Sequence, residues 1–167
     1  ATAPSERPLR AGDPVSVAVA PRGPQGYHGT LARTFVVDSD GGWERRAHVA
    51  VDAALDAARS TIEPGGTTAS VAREADAELA AFGFGPAGNG GDGAGSPRSS
   101  VHGVGLERRE APGVGGATEL EPGAVVAATV EVSDADRGCI RLCDLVAITD
   151  DGCELLADVP RAFVPRE

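Results

Sequence analysis

The apolar residues of this chain change period twice, and that limits its fold more than any other feature. Val15, Val17 and Val19 fall on every second residue of Pro14 to Ala20, with Ser16, Ala18 and Ala20 between them. Successive side chains of a strand point to opposite faces, so this is the pattern of a strand. A turn-rich loop, Pro21 to Gly26, leads to a second strand, Thr30 to Val37, and residues 14–37 read as a hairpin. Asp38-Ser39-Asp40-Gly41-Gly42 breaks the pattern, with Ser39 or Asp40 available to cap a helix. From there the spacing is helical over residues 43–62: Trp43, Ala47, Ala50, Ala54, Ala58 and Ile62 keep one stripe, with Val51 and Leu55 beside them. Glu63-Pro64-Gly65-Gly66 stops that helix, and Val71, Ala75, Leu79 and Phe82 mark a second one from Thr68 to Phe82.

The last third returns to strands. They are expected near 101–107, 124–132 and 139–149, and Thr149-Asp150-Asp151-Gly152-Cys153 reads as a tight hairpin turn into a short strand at 153–157. Before them, residues 86–100 are almost all Gly, Ala, Asn, Asp, Ser and Pro, which bury little, so a flexible Gly-rich insert is expected. The order β-β-α-α-β-β-β predicts an α+β domain over residues 1–167, a curved antiparallel sheet with helices on one face. The 167 residues, 41% of them hydrophobic, suffice for one core.

The net charge of −10 argues against a nucleic-acid or anionic-membrane surface, since both need clustered cations. All fifteen basic residues are Arg, and there is no Met, so Ala1 is not expected to be the translated start. No apolar run reaches the length of a membrane span and no signal peptide is visible, which fits the cytoplasm. Cys139 and Cys143 share one face of a strand but lie roughly 13 Å apart. That is too far for a disulfide or a CxxC-type metal clip, and with Cys153 they read as reduced residues.

Several motifs follow in a fixed order. They are Gly12-Asp13; Gly26-Tyr27-His28-Gly29-Thr30-Leu31-Ala32-Arg33-Thr34-Phe35; Ser100-Val101-His102-Gly103-Val104-Gly105-Leu106; Glu110-Ala111-Pro112; Leu120-Glu121-Pro122-Gly123; and Thr129-Val130-Glu131. In this order they resemble the pita-bread metallopeptidase family of methionine aminopeptidase, Xaa-Pro aminopeptidase, proline dipeptidase and creatinase. The resemblance implies the pita-bread fold with the first part of the domain missing. It also implies an oligomer in which a protein partner or a second copy covers an exposed sheet edge.

Active members of that family hold two divalent metals with two Asp, one His and two Glu, and the metals activate a water. The resemblance puts those five positions at Ala18, Thr30, His102, Glu131 and Cys143, so Ala18, Thr30 and Cys143 are substitutions. The family's second His falls on Arg109, whose charge repels cations. No dinuclear centre is therefore expected, because hard cations need carboxylate oxygens.

Two readings remain. In the first, the domain is a non-catalytic binding or partner subunit that uses the old peptide cleft and needs no cofactor. His102 is then a relic hydrogen-bonded near Glu131, with Arg141 or His102 pairing that carboxylate. In the second, it is a metal-independent or mononuclear-metal hydrolase or lyase acting on a small amino-acid-derived or peptide substrate. Its candidate catalytic residues are His102, Glu131, Cys143 and Glu110, and its candidate binding residues Tyr27, Arg109 and Arg141. His102, Glu131 and Cys143 would form either a single-zinc site with an open position or a Cys-His-acid arrangement. A collapsed apolar cleft floor favours the first reading, and an open polar one the second. His28 and His48 read as exposed, and Arg33 as a strand brace.

Overall fold

The computed structural model describes residues 8–85 and 96–164. The strands are β1 (Pro14–Val19), β2 (Leu31–Val36), β3 (Ser96–Gly103), β4 (Val125–Asp134), β5 (Gly138–Ile148) and β6 (Cys153–Leu155). Between β2 and β3 lie α1 (Trp43–Ser60) and α2 (Thr68–Ala81). Among the described residues the strands form one six-stranded antiparallel sheet in the order β1-β2-β5-β4-β3, with β6 paired to β5.

Periodicity explains the layers. On β4 and β5, Val126, Ala128, Val130, Val132, Ile140, Leu142, Val146 and Ile148 turn to one core, which they share with α1 and α2. The facing stripe of α1 is largely Ala47, Ala50, Ala54 and Ala58, small side chains that let the helix lie close to the sheet. Each larger residue buried there, such as Leu55 or Leu142, contributes about 1.5–3 kcal/mol by leaving water. The β4–β5 turn is set by Asp134, whose Oδ1 accepts the N–H groups of Asp136 and Arg137 at 3.0 Å each. The turn at residues 149–152 forms as expected, with the Thr149 N–H donating to the Gly152 carbonyl at 2.9 Å.

Several local expectations need correction. Neither Ser39 nor Asp40 caps α1: the N-cap is Gly42 and makes no side-chain cap bond. Instead the Ser39 hydroxyl donates to Glu44 Oε1 at 2.6 Å, and that oxygen also accepts the Gly42 N–H at 3.2 Å. This hydroxyl contact, and then the backbone donors, hold the Glu44 carboxyl below its ordinary pKa. Residues 96–100 of the expected insert belong to β3, because β4 runs on to Asp134 and offers them a partner as far as Ser96–Ser133. Residues 86–95 of the expected insert lie outside the described residues. The strand expected to reach residue 107 ends at Gly103, where the chain turns back.

His48 is 5% exposed rather than solvent-facing. The segment after β6 crosses that side of the fold. The Val36 N–H donates to the Phe163 carbonyl at 2.9 Å, and the Phe163 ring meets His48 edge-on at 5.2 Å. Among the described residues no helix is long and apolar enough to cross a membrane.

Candidate functional site

Cross-strand partners share a sheet face, so the register shows which side chains meet. One row runs Ala18–Ala32–Cys143–Thr129–Ser100 through β1, β2, β5, β4 and β3. On one side of it lies Leu145–Ala127–His102, and on the other Arg141–Glu131–Arg98. The Thr30 hydroxyl is 4.0 Å from Cys143 Sγ. The five positions named from the resemblance thus lie on one face within one row of Cys143.

The centre of that face is apolar. Ala32, Val104, Ala127 and Cys143 are buried together, with Leu145 packed against them. Burial pushes the Cys143 thiol pKa up, against smaller opposing contacts from Thr129 and Thr30. A thiol held protonated in this way is a poor nucleophile and a poor metal ligand.

Glu131 stays polar by pairing with arginines, 3.6 Å from Arg141 Nε and 3.9 Å from Arg98 Nε. The expected pairing of Glu131 with Arg141 is present. His102, by contrast, faces Ala127 across the pair, and its Nδ1 lies 3.0 Å from the Gly103 carbonyl, so it is not bonded to Glu131. His102, Glu131 and Cys143 share a face without meeting. Among the described residues no group of three or more His, Cys, Asp and Glu is placed to hold a metal ion.

What His102 does share is a cleft of about 500 Å³ with Arg109, Glu110, Ala111, Gly113 and Val114. The return of the chain after β3 builds it. The Glu110 N–H donates to the Gly103 carbonyl at 3.0 Å, and the Gly103 N–H to the Pro112 carbonyl at 2.8 Å. Only glycine fits at 103, because a Cβ would overlap the Ala111 carbonyl oxygen. The Glu110 carboxylate folds over Gly105 and accepts the Glu107 N–H at 3.2 Å, and Thr68 Oγ1 anchors the far end by donating to the Gly113 carbonyl at 2.7 Å. The His28 N–H donates to the Gly105 carbonyl at 2.7 Å, tying the β1–β2 loop to the same wall. Tyr27 is 62% exposed beside that contact and does not line the cleft, nor does Arg141.

A family model for metallopeptidase family M24 matches residues 1–150. The chain belongs to this family. Among solved structures, a prolidase from Pyrococcus horikoshii OT3 superposes with a TM-score of 0.82 at 27% identity, over 96% of this chain and 44% of that one. Dipeptidase PepE from Mycobacterium ulcerans gives 0.82 at 25% identity, over 96% of this chain and 42% of its own. A methionine aminopeptidase from Rickettsia prowazekii is alike in fold alone, with a TM-score of 0.72 at 17% identity, over 91% of this chain and 67% of that one. The pita-bread fold is thereby established. The chain spans less than half the length of the prolidase and of PepE. No curated protein sequence matches it.

The M24 fold implies a metal pair, and the residues at its positions do not fit one. A pair of hard cations needs several anionic oxygens. Here Ala18 has no donor, Thr30 is neutral, the Cys143 thiol is held protonated, and Glu131 lies between two guanidinium groups.

One polar feature of this M24 domain carried little weight in the sequence. Arg33 is buried and donates to Asp144 Oδ1 at 2.7 Å, to the carbonyls of Ala32 and Cys143 at 2.8 Å each, and to the Val159 carbonyl. It braces the strand, as expected, but through a buried ion pair. Asp144 follows Cys143 directly in the sequence, and only the β2–β5 contact brings Arg33 to it.

Proposed function

We propose that this M24 domain is a peptide-binding module, seating its ligand in the cleft at His102 without dinuclear peptidase chemistry. The observation that supports this is the apolar floor of Ala32, Val104, Ala127 and Cys143, which encloses Cys143, a position where the resemblance calls for a charged oxygen. The cleft itself suits a peptide. Its volume lies within the usual range for small-ligand pockets, about 300–1,000 Å³. Arg109, Glu110 and His102 offer polar groups of both kinds, and Ala111 and Val114 offer apolar wall. The similar structures are named as prolidases, an X-Pro aminopeptidase and an Xaa-Pro dipeptidase, which directs the choice of ligand to short proline-containing peptides.

The test is calorimetric titration of such peptides into the chain, with its metal content measured by elemental analysis and the peptides followed for hydrolysis. Binding without hydrolysis, lost in His102→Ala and Arg109→Ala, is the expected result. Turnover of an Xaa-Pro peptide that depends on two bound metals would overturn it.

One observation favours a second reading, metal-independent hydrolysis by His102 with Glu110. An imidazole that donates its Nδ1 proton to the Gly103 carbonyl keeps Nε2 as a base. That reading requires turnover without metal, abolished in His102→Ala at an unchanged melting temperature.

A further inference from the structure

His48 is shut away from water without being satisfied. It is buried on α1, and its Nε2 has no hydrogen-bond partner among the described residues. One helical turn on, Asp52 is in a similar condition. Its Oδ1 is buried and accepts no hydrogen bond. Arg161 Nη1 lies 2.7 Å from that oxygen but out of line, and donates instead to the Asp52 main-chain carbonyl at 3.4 Å. Residues four apart on a helix are neighbours, so a titratable ring and an unused acceptor stand side by side.

Phe163, in the segment after β6, packs edge-on against the ring. Residues 156–164 have no regular secondary structure and are held in two ways. At Val159 the hold is firm. Arg33, itself buried, donates to the Val159 carbonyl from Nε at 3.2 Å and from Nη2 at 2.8 Å. Beyond Val159 the hold is mostly ionic. Arg161 Nη2 donates to Asp56 Oδ1 at 2.6 Å, Nη1 sits against Asp52, and Nε lies 3.8 Å from Asp144 Oδ2 of β5. Among the described residues, the Val36 N–H to Phe163 carbonyl bond at 2.9 Å and the packing of the Phe163 ring complete it.

A proton on His48 works against these later contacts. The charged groups acting on the ring are Asp52 of its own helix and Arg161 of the segment. Arg161 also faces Asp56 of α1 and Asp144 of β5, and Arg33 of β2 holds Asp144. An imidazolium under Phe163 is deprived of water, which is costly. Its charge repels Arg161, and its Nε2–H can donate to Asp52 Oδ1, the oxygen that Arg161 lies against. Phe163 and Arg161 are two residues apart, so one movement hydrates the ring and withdraws the guanidinium. Burial first, and then Arg161, keep the pKa of the covered ring below 6.5, while Asp52 opposes them. A ring that resists the proton while covered takes it more readily uncovered. Closure is therefore at full strength above that value and weakens as the pH falls below it.

We propose that residues 160–164 form an acid-released strap, hinged at Val159 and unlatched by a proton on His48 that repels Arg161 and takes over Asp52. The strap lifts while the sheet and the helices stay folded. It stands independently of what the His102 cleft binds.

The experiment is amide exchange followed by NMR on the full chain, from about pH 7.5 to about pH 5.5, either side of the ordinary histidine value. Each rate is divided by that of an unstructured amide at the same pH. The reporter is the Val36 N–H, which donates to the Phe163 carbonyl, and the amides of β4 and β5 are the internal control. Protection at Val36 should fall as the pH is lowered, by at most about tenfold per pH unit, the limit for one proton. The β4 and β5 amides should keep theirs. In His48→Phe the protection at Val36 should stay level across the range. Phe163→Ala gives a second readout that leaves the histidine in place: Val36 should be poorly protected at every pH, with the control amides unchanged. Protection at Val36 that does not vary with pH in the wild type overturns the proposal. So does a fall that persists in His48→Phe, a fall shared by β4 and β5, or full protection of Val36 in Phe163→Ala.

Discussion

Arg33 and Asp144 show how far a single pair can matter in this fold. Their side chains are 5% and 3% exposed, so removing one partner strands the other charge away from water. Arg33→Ala is expected to cost about 3–5 kcal/mol in urea unfolding. The value should fall at the lower end, because Arg161 Nε lies 3.8 Å from the other Asp144 oxygen. His48 sets a pH dependence. Burial first, and then Arg161, push its pKa below 6.5, while Asp52 opposes them. Below that ordinary value the unfolded chain binds a proton that the folded chain resists, so stability is full above it and falls as pH drops towards the folded value. Replacing His48 with Phe should flatten this acid slope in melts recorded across that range. Cys143, 3% exposed with its thiol pKa raised by burial, should resist alkylation in the folded chain and react once it is unfolded. Rapid modification of Cys143 under native conditions would contradict the closed floor. That Ala18, Thr30 and Cys143 carry no carboxylate was legible in the sequence, because it is a property of each residue alone. The partner of His102 was not legible, because it is the Gly103 carbonyl, which the backbone at the end of β3 brings to its ring, while Glu131 lies two rows away in register.

At the scale of elements, the loop that returns to β3 is the sensitive part. Gly103→Ala should push the Ala111 carbonyl away and break the two backbone bonds that hold residues 110–112 against β3. The expected outcome is loss of peptide binding by calorimetry with helix content unchanged. At α2, Thr67 accepts the Ser70 N–H while the Ser70 hydroxyl accepts the Thr67 N–H, a reciprocal capping box. Thr67→Ala should cost about 1 kcal/mol in chemical denaturation. The helices were easy to place from sequence because their stripes repeat over several turns. The ends of β3 were not. Ser96-Pro97-Arg98-Ser99 has the composition of a loop, and it is a strand because β4 extends far enough to pair with it, while Ser99 donates to Asp76 Oδ1 and the Ala72 carbonyl on α2.

For the whole molecule, the core that α1 and α2 share with β4 and β5 holds the helix layer to the sheet. The segment after β6 acts at this scale too. Arg161 contacts Asp52 and Asp56 on α1 at 2.7 and 2.6 Å, so the segment links the end of β2 to the helix layer. The sequence by itself determined the type and order of the elements, the α+β class and the absence of a carboxylate at Ala18, Thr30 and Cys143, because each is written in local periodicity or in the identity of single residues. Only the tertiary structure decided that Glu131 is held between arginines, that Cys143 sits in an apolar floor, that His48 is covered, and that His102 opens into a cleft with Arg109 and Glu110. Those outcomes depend on strand register and on a chain reversal, contacts between residues far apart in sequence that no local pattern encodes.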